Sequence, residues 1–457
     1  MTALARPCPI SIDAIRSCLE GVNPAAIATC SADGTPNVTL LSQVHYLDAD
    51  HVALSYQFFN KTRENILANP LATVQVIDPV TGAVYRLSLR YLRTETSGAL
   101  FERMKAKLAG IASHTGMQGV FRLLGADVYR ILDIEAVPSR RLPEPVARRS
   151  LLSAARLSCE GLAACTDLSQ LLDRLLSDLE ARFGIDHAMV LMLDEDGQRL
   201  YTVASHGYEA SGVGSEIPMG QGVIGVAARE CRPIRITHMT SDYAYNRAIR
   251  AGIDQLGLAG ALETEIPLPG LPAPHSQLAV PIMAAKRLVG ILFVESLDDL
   301  RFGYDDEDAL SVIATQLGMM IQLFHAGAAG EESAGSATRR ALMQGTAVTI
   351  RHYAVDHSVF IDQDYLIKGV AGAIFWRLMR DYVESDRTDF TNRELRLDPS
   401  IRLPEISENL EARLVLLQRR LVERCPFLRI EKTGRGRFRL DVRRPIKLLE
   451  MAEGAVR

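Results

Sequence analysis

Apolar and polar residues alternate over short stretches in the first third of the chain. A period of two predicts β-strands that bury one face, and Asp33-Gly34 between the first two stretches is a typical hairpin turn. Strands are predicted at 25–30, 35–47, 51–56, 72–78 and 85–94, and helices at 60–69 and 97–109. Paired strands with a polar helix between two of them need a barrel to bury their apolar faces.

The middle third changes to an order of helix, sheet and helix. The helix predicted at 168–183 carries its leucines on one side, as a period of 3.6 residues requires: Leu171, Leu172, Leu175, Leu176 and Leu179. Strands are predicted at 187–193, 200–207, 276–282 and 287–296, a short helix opens within 220–228, and a long helix covers 305–324. This pattern predicts an α/β sandwich.

The last third reads as strands, helices and a closing hairpin. Strands are predicted at 347–353 and 358–361, and helices at 365–382, 391–395 and 404–424. The last helix has a buried stripe of Leu410, Leu414, Leu417 and Leu421, with Pro404 in its first turn. A basic hairpin at 428–440 follows.

Two stretches of unusual composition divide the chain. A Pro/Arg-rich stretch at 138–145 continues neither a helix nor a sheet easily, and a stretch of small residues at 326–336 has the composition of a linker;. They predict a multidomain α+β protein with domains at 1–147, 148–332 and 333–457.

Charge and cysteine usage narrow the class of protein. The net charge is −4, yet residues 401–457 carry 14 Lys/Arg against 8 Asp/Glu, an asymmetry typical of a nucleic-acid-binding end on an acidic body. The seven cysteines are scattered and none forms a CxxC pair, which argues against a disulfide framework or a structural zinc site. Without a signal-like start or an apolar stretch long enough to span a membrane, we expect a cytoplasmic protein.

The first domain resembles the pyridoxamine-phosphate-oxidase-like split barrel in the run Ser55-Tyr56-Gln57-Phe58-Phe59-Asn60-Lys61-Thr62-Arg63-Glu64-Asn65 and in Asp33-Gly34-Thr35-Pro36-Asn37-Val38. That family usually binds FMN at a dimer interface. The resemblance implies that Lys61 and Thr62 hold the flavin phosphate, that Asn60 and Arg63 assist, and that residues 37–43 line the ring. The candidate ring contacts are Asn37, Thr39 and Gln43. Haem is the less favoured cofactor, and the alternative for the helix start is simple capping with a solvated Lys61.

The second domain resembles a GAF sensory domain over about 150–325, on Gly222-Val223-Ile224-Gly225, Leu278-Ala279-Val280-Pro281-Ile282 and Leu288-Val289-Gly290-Ile291-Leu292. The resemblance implies a small-molecule pocket between the sheet and an insert at 238–275. Aromatic, amide and basic side chains of the insert are the candidate ligand contacts: Tyr243, Tyr245, Asn246 and Arg247. The ligand stays open, with a cyclic nucleotide, haem on His238 or His275, or an empty domain used only for dimerisation as alternatives.

The third domain resembles the winged helix of response regulators over about 345–442, with Lys432-Thr433-Gly434-Arg435-Gly436-Arg437-Phe438-Arg439-Leu440 as the wing. In that fold the long helix enters the DNA major groove. The resemblance implies groove or phosphate contacts by Arg413, Arg419 and Arg420. It implies wing contacts by Lys432, Arg435 and Arg437. The alternative is a winged helix that contacts protein and carries solvated arginines.

These domains together predict a homodimeric, ligand- or redox-sensing transcriptional regulator whose partners are a small molecule and DNA, with no membrane attachment. No catalytic residue and no metal site is expected, and we lean towards a protein that is not an enzyme. The two alternatives are an FMN-dependent oxidoreductase with regulatory appendages and a non-catalytic dimeric scaffold.

Overall fold

The structure is a computed structural model of the chain. It describes residues 10–19, 23, 25–41, 44–56, 60–114, 123–143, 150–194, 197–237, 266–327, 346–401, 410–434 and 436–451. These residues form four sheets, one in the N-terminal third, one in the central third and two in the C-terminal third.

The N-terminal barrel is a seven-stranded antiparallel sheet with the strand order β2-β1-β5-β6-β7-β4-β3. Its strands are β1 (Ala25–Cys30), β2 (Pro36–Leu41), β3 (Val44–Asp48), β4 (His51–Tyr56), β5 (Leu71–Ile77), β6 (Val84–Glu95) and β7 (Gly125–Val137). Helix α1 (Asn60–Ala68) links β4 to β5, and α2 (Ala99–His114) links β6 to β7. Ile12, Ile15 and Leu19 from a 3-10 helix (Ile12–Leu19) close one end of the core.

One predicted strand of the barrel is two strands. The alternation over 35–47 is continuous in sequence, but β2 and β3 lie at opposite edges of the sheet. Hydrophobic alternation reports which face of a strand is buried and not which neighbour the strand pairs with, so the change of edge leaves no mark in the pattern.

The central domain is a six-stranded antiparallel sheet with the order β10-β9-β8-β13-β12-β11. Its strands are β8 (His187–Leu193), β9 (Arg199–His206), β10 (Glu216–Pro218), β11 (Ile234–Ile236), β12 (Ser276–Ala284) and β13 (Arg287–Ser296). Its helices are α3 (Leu151–Ala163), α4 (Leu168–Phe183), α5 (Gly222–Glu230) and α6 (Tyr304–Gly327). The predicted leucine side of α4 is buried. Helix α3, which the pattern analysis did not predict, packs on α6.

The C-terminal domain contains a four-stranded sheet of order β16-β15-β14-β20 and a three-stranded sheet of order β17-β19-β18. The strands are β14 (Val348–Tyr353), β15 (Ser358–Ile361), β16 (Asp364–Ile367), β17 (Asp389–Thr391), β18 (Leu428–Gly434), β19 (Arg437–Val442) and β20 (Ile446–Met451). The helices are α7 (Gly369–Ser385), which precedes β17, and α8 (Asn392–Leu397) and α9 (Leu410–Arg424), which follow it.

Two predicted helix starts in this domain differ from the structure. Residues 365–367 belong to β16, and α7 begins only at Gly369, whose φ of +64° is a left-handed conformation that glycine adopts without strain;. Helix α9 is described from Leu410, so the part of the predicted helix between 404 and 409 lies outside the described residues.

The domains are in contact. One apolar cluster runs from the helical face of the central sheet into the C-terminal domain. The barrel has its own core, and its helix α2 packs on α5 and places Ala106 in a cluster of the central domain. Among the helices in the described parts of the chain, none combines the length and the apolar character that a membrane crossing requires.

Candidate functional site

The first candidate site lies where α1 packs against β2, an edge strand of the barrel. The side-chain amide of Asn37 donates to the hydroxyl of Thr62 over 3.0 Å, and Thr62 is buried. Along β2 the half-buried Asn37 and Thr39 alternate with the exposed Val38 and Leu40. The structure thus brings Asn37 and Thr62 together and places Thr39 on the same face of β2 as Asn37.

Lys61 is the cation at this site. Its side chain is exposed at the start of α1, with a carboxylate oxygen of Glu64 3.9 Å from its ammonium nitrogen. An exposed lysine and a threonine hydroxyl in the first turn of a helix are groups that bind a phosphate. Lys61 and Thr62 therefore fit a flavin phosphate. The side chain of Asn60, and the whole of Gln43, lie outside the described residues.

Arg63 belongs to a different network. Its guanidinium donates to Asp127 over 2.5 Å and to the Thr94 hydroxyl over 2.6 Å, and Thr94 donates in turn to Asp127. Asp127 is buried, so its charge compensates that of Arg63 inside the barrel wall. The structure therefore gives Arg63 a carboxylate partner in the barrel wall, and its predicted part in holding the phosphate stays a prediction.

Asn65 is a residue of this region that the sequence analysis did not single out. Its amide donates to the hydroxyl of Thr29 over 3.1 Å, and both side chains are buried. This hydrogen bond ties α1 to β1 and so fixes where Lys61 and Thr62 stand relative to β2. The sequence spacing could have pointed to Asn65, since it follows Thr62 by three residues and so lies on the same face of the helix.

The predicted ligand contacts of the central domain, Tyr243, Tyr245, Asn246 and Arg247, lie outside the described residues, as does His238. His275 is described and is half exposed, with Nδ1 3.4 Å from a carboxylate oxygen of Asp299. Within the described parts of the chain, no group of three or more His, Cys, Asp or Glu side chains is placed to hold a metal ion.

A buried carboxylate accepts hydrogen bonds from two neighbouring segments of this domain. Glu295 on β13 accepts the backbone N–H of Leu271 over 2.8 Å and the side-chain amide of Gln277 over 3.0 Å. Burial, followed by the charge of Glu295, raises the pKa of the neighbouring Tyr208. Nothing in the sequence marks Glu295 as buried, since an acid at the end of an apolar strand is usually solvated.

The basic residues of α9 lie at the seam between the C-terminal and central domains. Arg413 forms an ion pair with Asp194 and stacks over the Tyr201 ring at 3.8 Å. Arg419 donates to Asp173 over 2.6 Å, and Arg420 donates to the carbonyl of Leu366 over 3.1 Å. Only 7% of Arg413 and 3% of Arg420 are exposed. In this arrangement Arg413 is covered by the central domain, and Arg420 is hydrogen-bonded within its own domain to Leu366 and Glu423. Their contact with DNA stays a prediction.

The hairpin also reaches this seam. The Lys432 ammonium lies 2.7 Å from Asp167, the N-cap of α4. Burial raises the pKa of Asp167, but the hydrogen bond from the Gln170 N–H and the Lys432 charge outweigh it and leave the pKa lowered. A crevice of about 130 Å³ lies between Asp167, Phe324, Lys432 and Arg437. Arg435 lies outside the described residues.

Two family models match parts of the chain. The one described as pyridoxamine 5'-phosphate oxidase matches residues 11–124, and the one described as GAF domain matches residues 165–322. The comparison with curated proteins finds no match.

Solved structures similar to this chain include three bacterial proteins. The GAF domain of an Acinetobacter phosphoenolpyruvate-protein phosphotransferase is 22% identical, over 40% of this chain and 97% of that one, with a TM-score of 0.31. An FMN-binding protein from Syntrophomonas wolfei is 16% identical, over 28% of this chain and 83% of that one, with a TM-score of 0.23. HupZ from Group A Streptococcus is 21% identical, over 28% of this chain and 95% of that one, with a TM-score of 0.23. By the family models, the chain contains a pyridoxamine 5'-phosphate oxidase-like split barrel followed by a GAF domain.

Proposed function

We propose that this protein is a ligand- or redox-sensing regulator whose barrel and GAF domain bind small molecules and whose C-terminal domain is a DNA-binding winged helix. The observation that carries the proposal is the order of elements from Val348 to Met451. Three strands, β14 to β16, are followed by α7, the short strand β17, α8, α9, the β18–β19 hairpin and finally β20, which pairs with β14. A helix that enters the major groove beside a hairpin wing that touches the backbone is typical of this order.

DNA binding by the full chain tests the output. We expect binding of a fluorescein-labelled duplex pool that weakens steeply as salt rises. Replacing the hairpin residue Arg437 by Ala lowers the affinity and reduces the salt slope by about one. Lys105→Ala on the barrel helix α2, where the lysine is exposed beside Glu102, is the matched control. Equal affinities and slopes for the two variants would remove the winged-helix proposal.

For the barrel we propose FMN as the ligand, with its phosphate held by Lys61 and Thr62 and with Asn37 and Thr39 beside it. The match to the oxidase family over residues 11–124 supports this, and so does the exposed Lys61 next to the Thr62 hydroxyl. A bound flavin would supply a group that changes charge and hydrogen bonding with its redox state.

An absorption spectrum of the purified protein tests the flavin, with the released cofactor identified by mass. A yellow protein that releases FMN supports the proposal, and Lys61→Ala then lowers the FMN affinity about tenfold or more because a charged phosphate contact is lost. Lys105→Ala serves as the control. Oxidation of reduced nicotinamide by the flavin would favour an oxidoreductase instead.

We also propose a homodimer formed through α6 and α3. Val312, Met319 and Leu323 recur on one side of α6 and are all more than half exposed, and Leu152 on α3, which lines the same groove as Val312, is 83% exposed. Apolar residues at such a spacing are typical of helices that pair. Light scattering gives the mass, and Met319→Glu is expected to convert a dimer into a monomer.

A further inference from the structure

Helix α9 is buried on two faces: one packs within its own domain, and the other packs against the GAF domain. We propose that this part of the GAF domain is an intramolecular substitute for DNA, which holds α9 and the hairpin until DNA displaces it. We name it the clamp surface and define it as Asp167, Asp173, Asp194, Tyr201 and Ser211. This inference rests on the DNA-binding function proposed above, and it adds that a surface of the same chain competes with DNA.

Three basic side chains that a winged helix would direct at phosphates each meet a carboxylate of the clamp surface. Arg413 pairs with Asp194, Arg419 with Asp173, and Lys432 with Asp167. Arginine and lysine bind carboxylates and phosphates through the same donors, so a carboxylate occupies the position that a phosphate oxygen would take. The clamp surface and DNA therefore compete for the same groups.

The acidic residue on this face of α9 is also matched. Glu423 accepts a hydrogen bond from the Ser211 hydroxyl over 2.5 Å and from Arg420 over 3.1 Å. Carboxylates thus stand opposite the basic residues and a hydroxyl stands opposite the acid. This complementarity at each position is expected of a specific interface and not of a chance contact between two surfaces.

Because α9 is buried against the clamp surface, it cannot contact that surface and DNA at the same time. The inner side of α9 packs in its own domain through Leu417 and Leu421, and its outer side is covered through Arg413, Leu416 and Arg420. Over 410–424, the residues that remain exposed are Val422, Glu423 and Arg424, all at the C-terminal end. A helix must present a whole side to enter the major groove, so α9 cannot bind DNA while it is docked.

The test removes the clamp and leaves every candidate DNA contact intact. The double variant Asp173→Asn, Asp194→Asn keeps the shape of both side chains and removes two charges from the clamp surface. We expect it to bind a fluorescein-labelled 30-base-pair duplex pool roughly tenfold more tightly than the unaltered chain. The control, Asp133→Asn with Asp298→Asn, removes two exposed charges elsewhere and is expected to change the affinity far less.

A second variant guards against misfolding of the first. Ser211→Asp places a charge against Glu423 and opens the clamp by repulsion, with the same expected gain in affinity. Hydrogen exchange gives an independent readout, because DNA added to the unaltered chain should deprotect the clamp surface as it protects α9.

The possible failures are distinguishable. If both clamp variants bind DNA no more tightly than the unaltered chain, the competition is overturned and the DNA-binding function stands. If no form binds DNA although the variants lose exchange protection in α9, the clamp exists but the proposed DNA-binding function is overturned, and with it the competition.

Discussion

At the scale of single residues, His352 shows how burial sets a charge state. Its ring is buried in the C-terminal domain, stacked on Trp376 with a centroid distance of 4.6 Å, and its Nε2 lies 3.2 Å from Nδ1 of His357. Burial, followed by the charge of His357 and opposed by that of Asp356, lowers the pKa of His352 to about 4. Glu450 is the other charged neighbour, at 3.9 Å from Nδ1.

The lowered pKa predicts loss of stability in acid. The folded state favours neutral His352, so its contribution is complete above the ordinary pKa of 6.5 and is lost as the pH falls from 6.5 towards 4;. The slope approaches about 1.4 kcal/mol per pH unit within that window. Urea unfolding across pH 4–8 measures it. His352→Phe should flatten the acid side, and an acid side unchanged by that substitution would contradict the assignment.

Asp127 and Glu135 test how much burial matters to an ion pair in the barrel. The Arg63–Asp127 pair is largely enclosed, whereas the Arg86–Glu135 pair, at 3.4 Å, is exposed on both sides. Asp127→Ala leaves a cation without its partner in the barrel wall and is expected to destabilise the barrel by about 3 kcal/mol. Glu135→Ala should cost less than about 1 kcal/mol. Denaturant midpoints of the two variants give the comparison, and equal losses would refute it.

The sequence alone does not reveal which partner a charged side chain has in the folded protein. The likeness to known motifs singled out Lys61 and Thr62, which are neighbours in the chain and share a helix start. It also singled out Arg63 and Arg413, but it could not reveal their carboxylate partners, Asp127 and Asp194, which come from distant parts of the chain. An arginine looks the same in sequence whether it faces a phosphate or a carboxylate, and only the tertiary fold decides.

At the scale of elements, α6 is placed by a glycine. A Cβ at Gly318 would lie 2.2 Å from the carbonyl oxygen of Met283, at the irregularity of β12. Alanine is the better helix former by about 1 kcal/mol, yet Gly318→Ala must push α6 off the sheet. We expect a net loss of about 2 kcal/mol.

The matched control on the same helix is Thr315→Ala, since Thr315 is exposed and its hydroxyl only returns to the carbonyl of Ser311. That variant should be neutral or slightly stabilising. Thermal unfolding distinguishes the two, and a stabilised Gly318→Ala protein would mean that helix propensity outweighs the close approach.

Elements with a strong period were predicted well and elements without one were not. The leucines of α4 predicted its buried face, and the helix has the predicted bounds, 168–183. Helix α3 was missed although Ala154, Ser158 and Leu162 follow a helical spacing, because small residues give a weak hydrophobic signal. Strand β20 pairs in parallel with β14 from almost 100 residues away, and a partner at that separation is not encoded in any local pattern.

At the scale of the whole molecule, the distribution of apolar contacts predicts how the chain unfolds. The barrel has its own core and joins the GAF domain through Ala106 of α2, whereas the GAF and C-terminal domains share one continuous cluster through α9. A shared core unfolds cooperatively, and separate cores need not. We therefore expect two calorimetric transitions, one for the barrel and one for the other two domains together.

Core substitutions assign the transitions. Ile27→Ala, in the barrel core, and Leu416→Ala, at the seam, each remove a buried side chain, at a cost of about 2–5 kcal/mol. The first should lower only the barrel transition. The second should lower the joint transition by several degrees and also weaken the clamp, because Leu416 is buried on the same side of α9 as Arg413 and Arg420 and lies near Gly214 of the GAF domain;. A separate third transition for the C-terminal domain in the unaltered chain would show that the seam is too weak to couple the domains, and the competition between the clamp surface and DNA would then lack its physical basis.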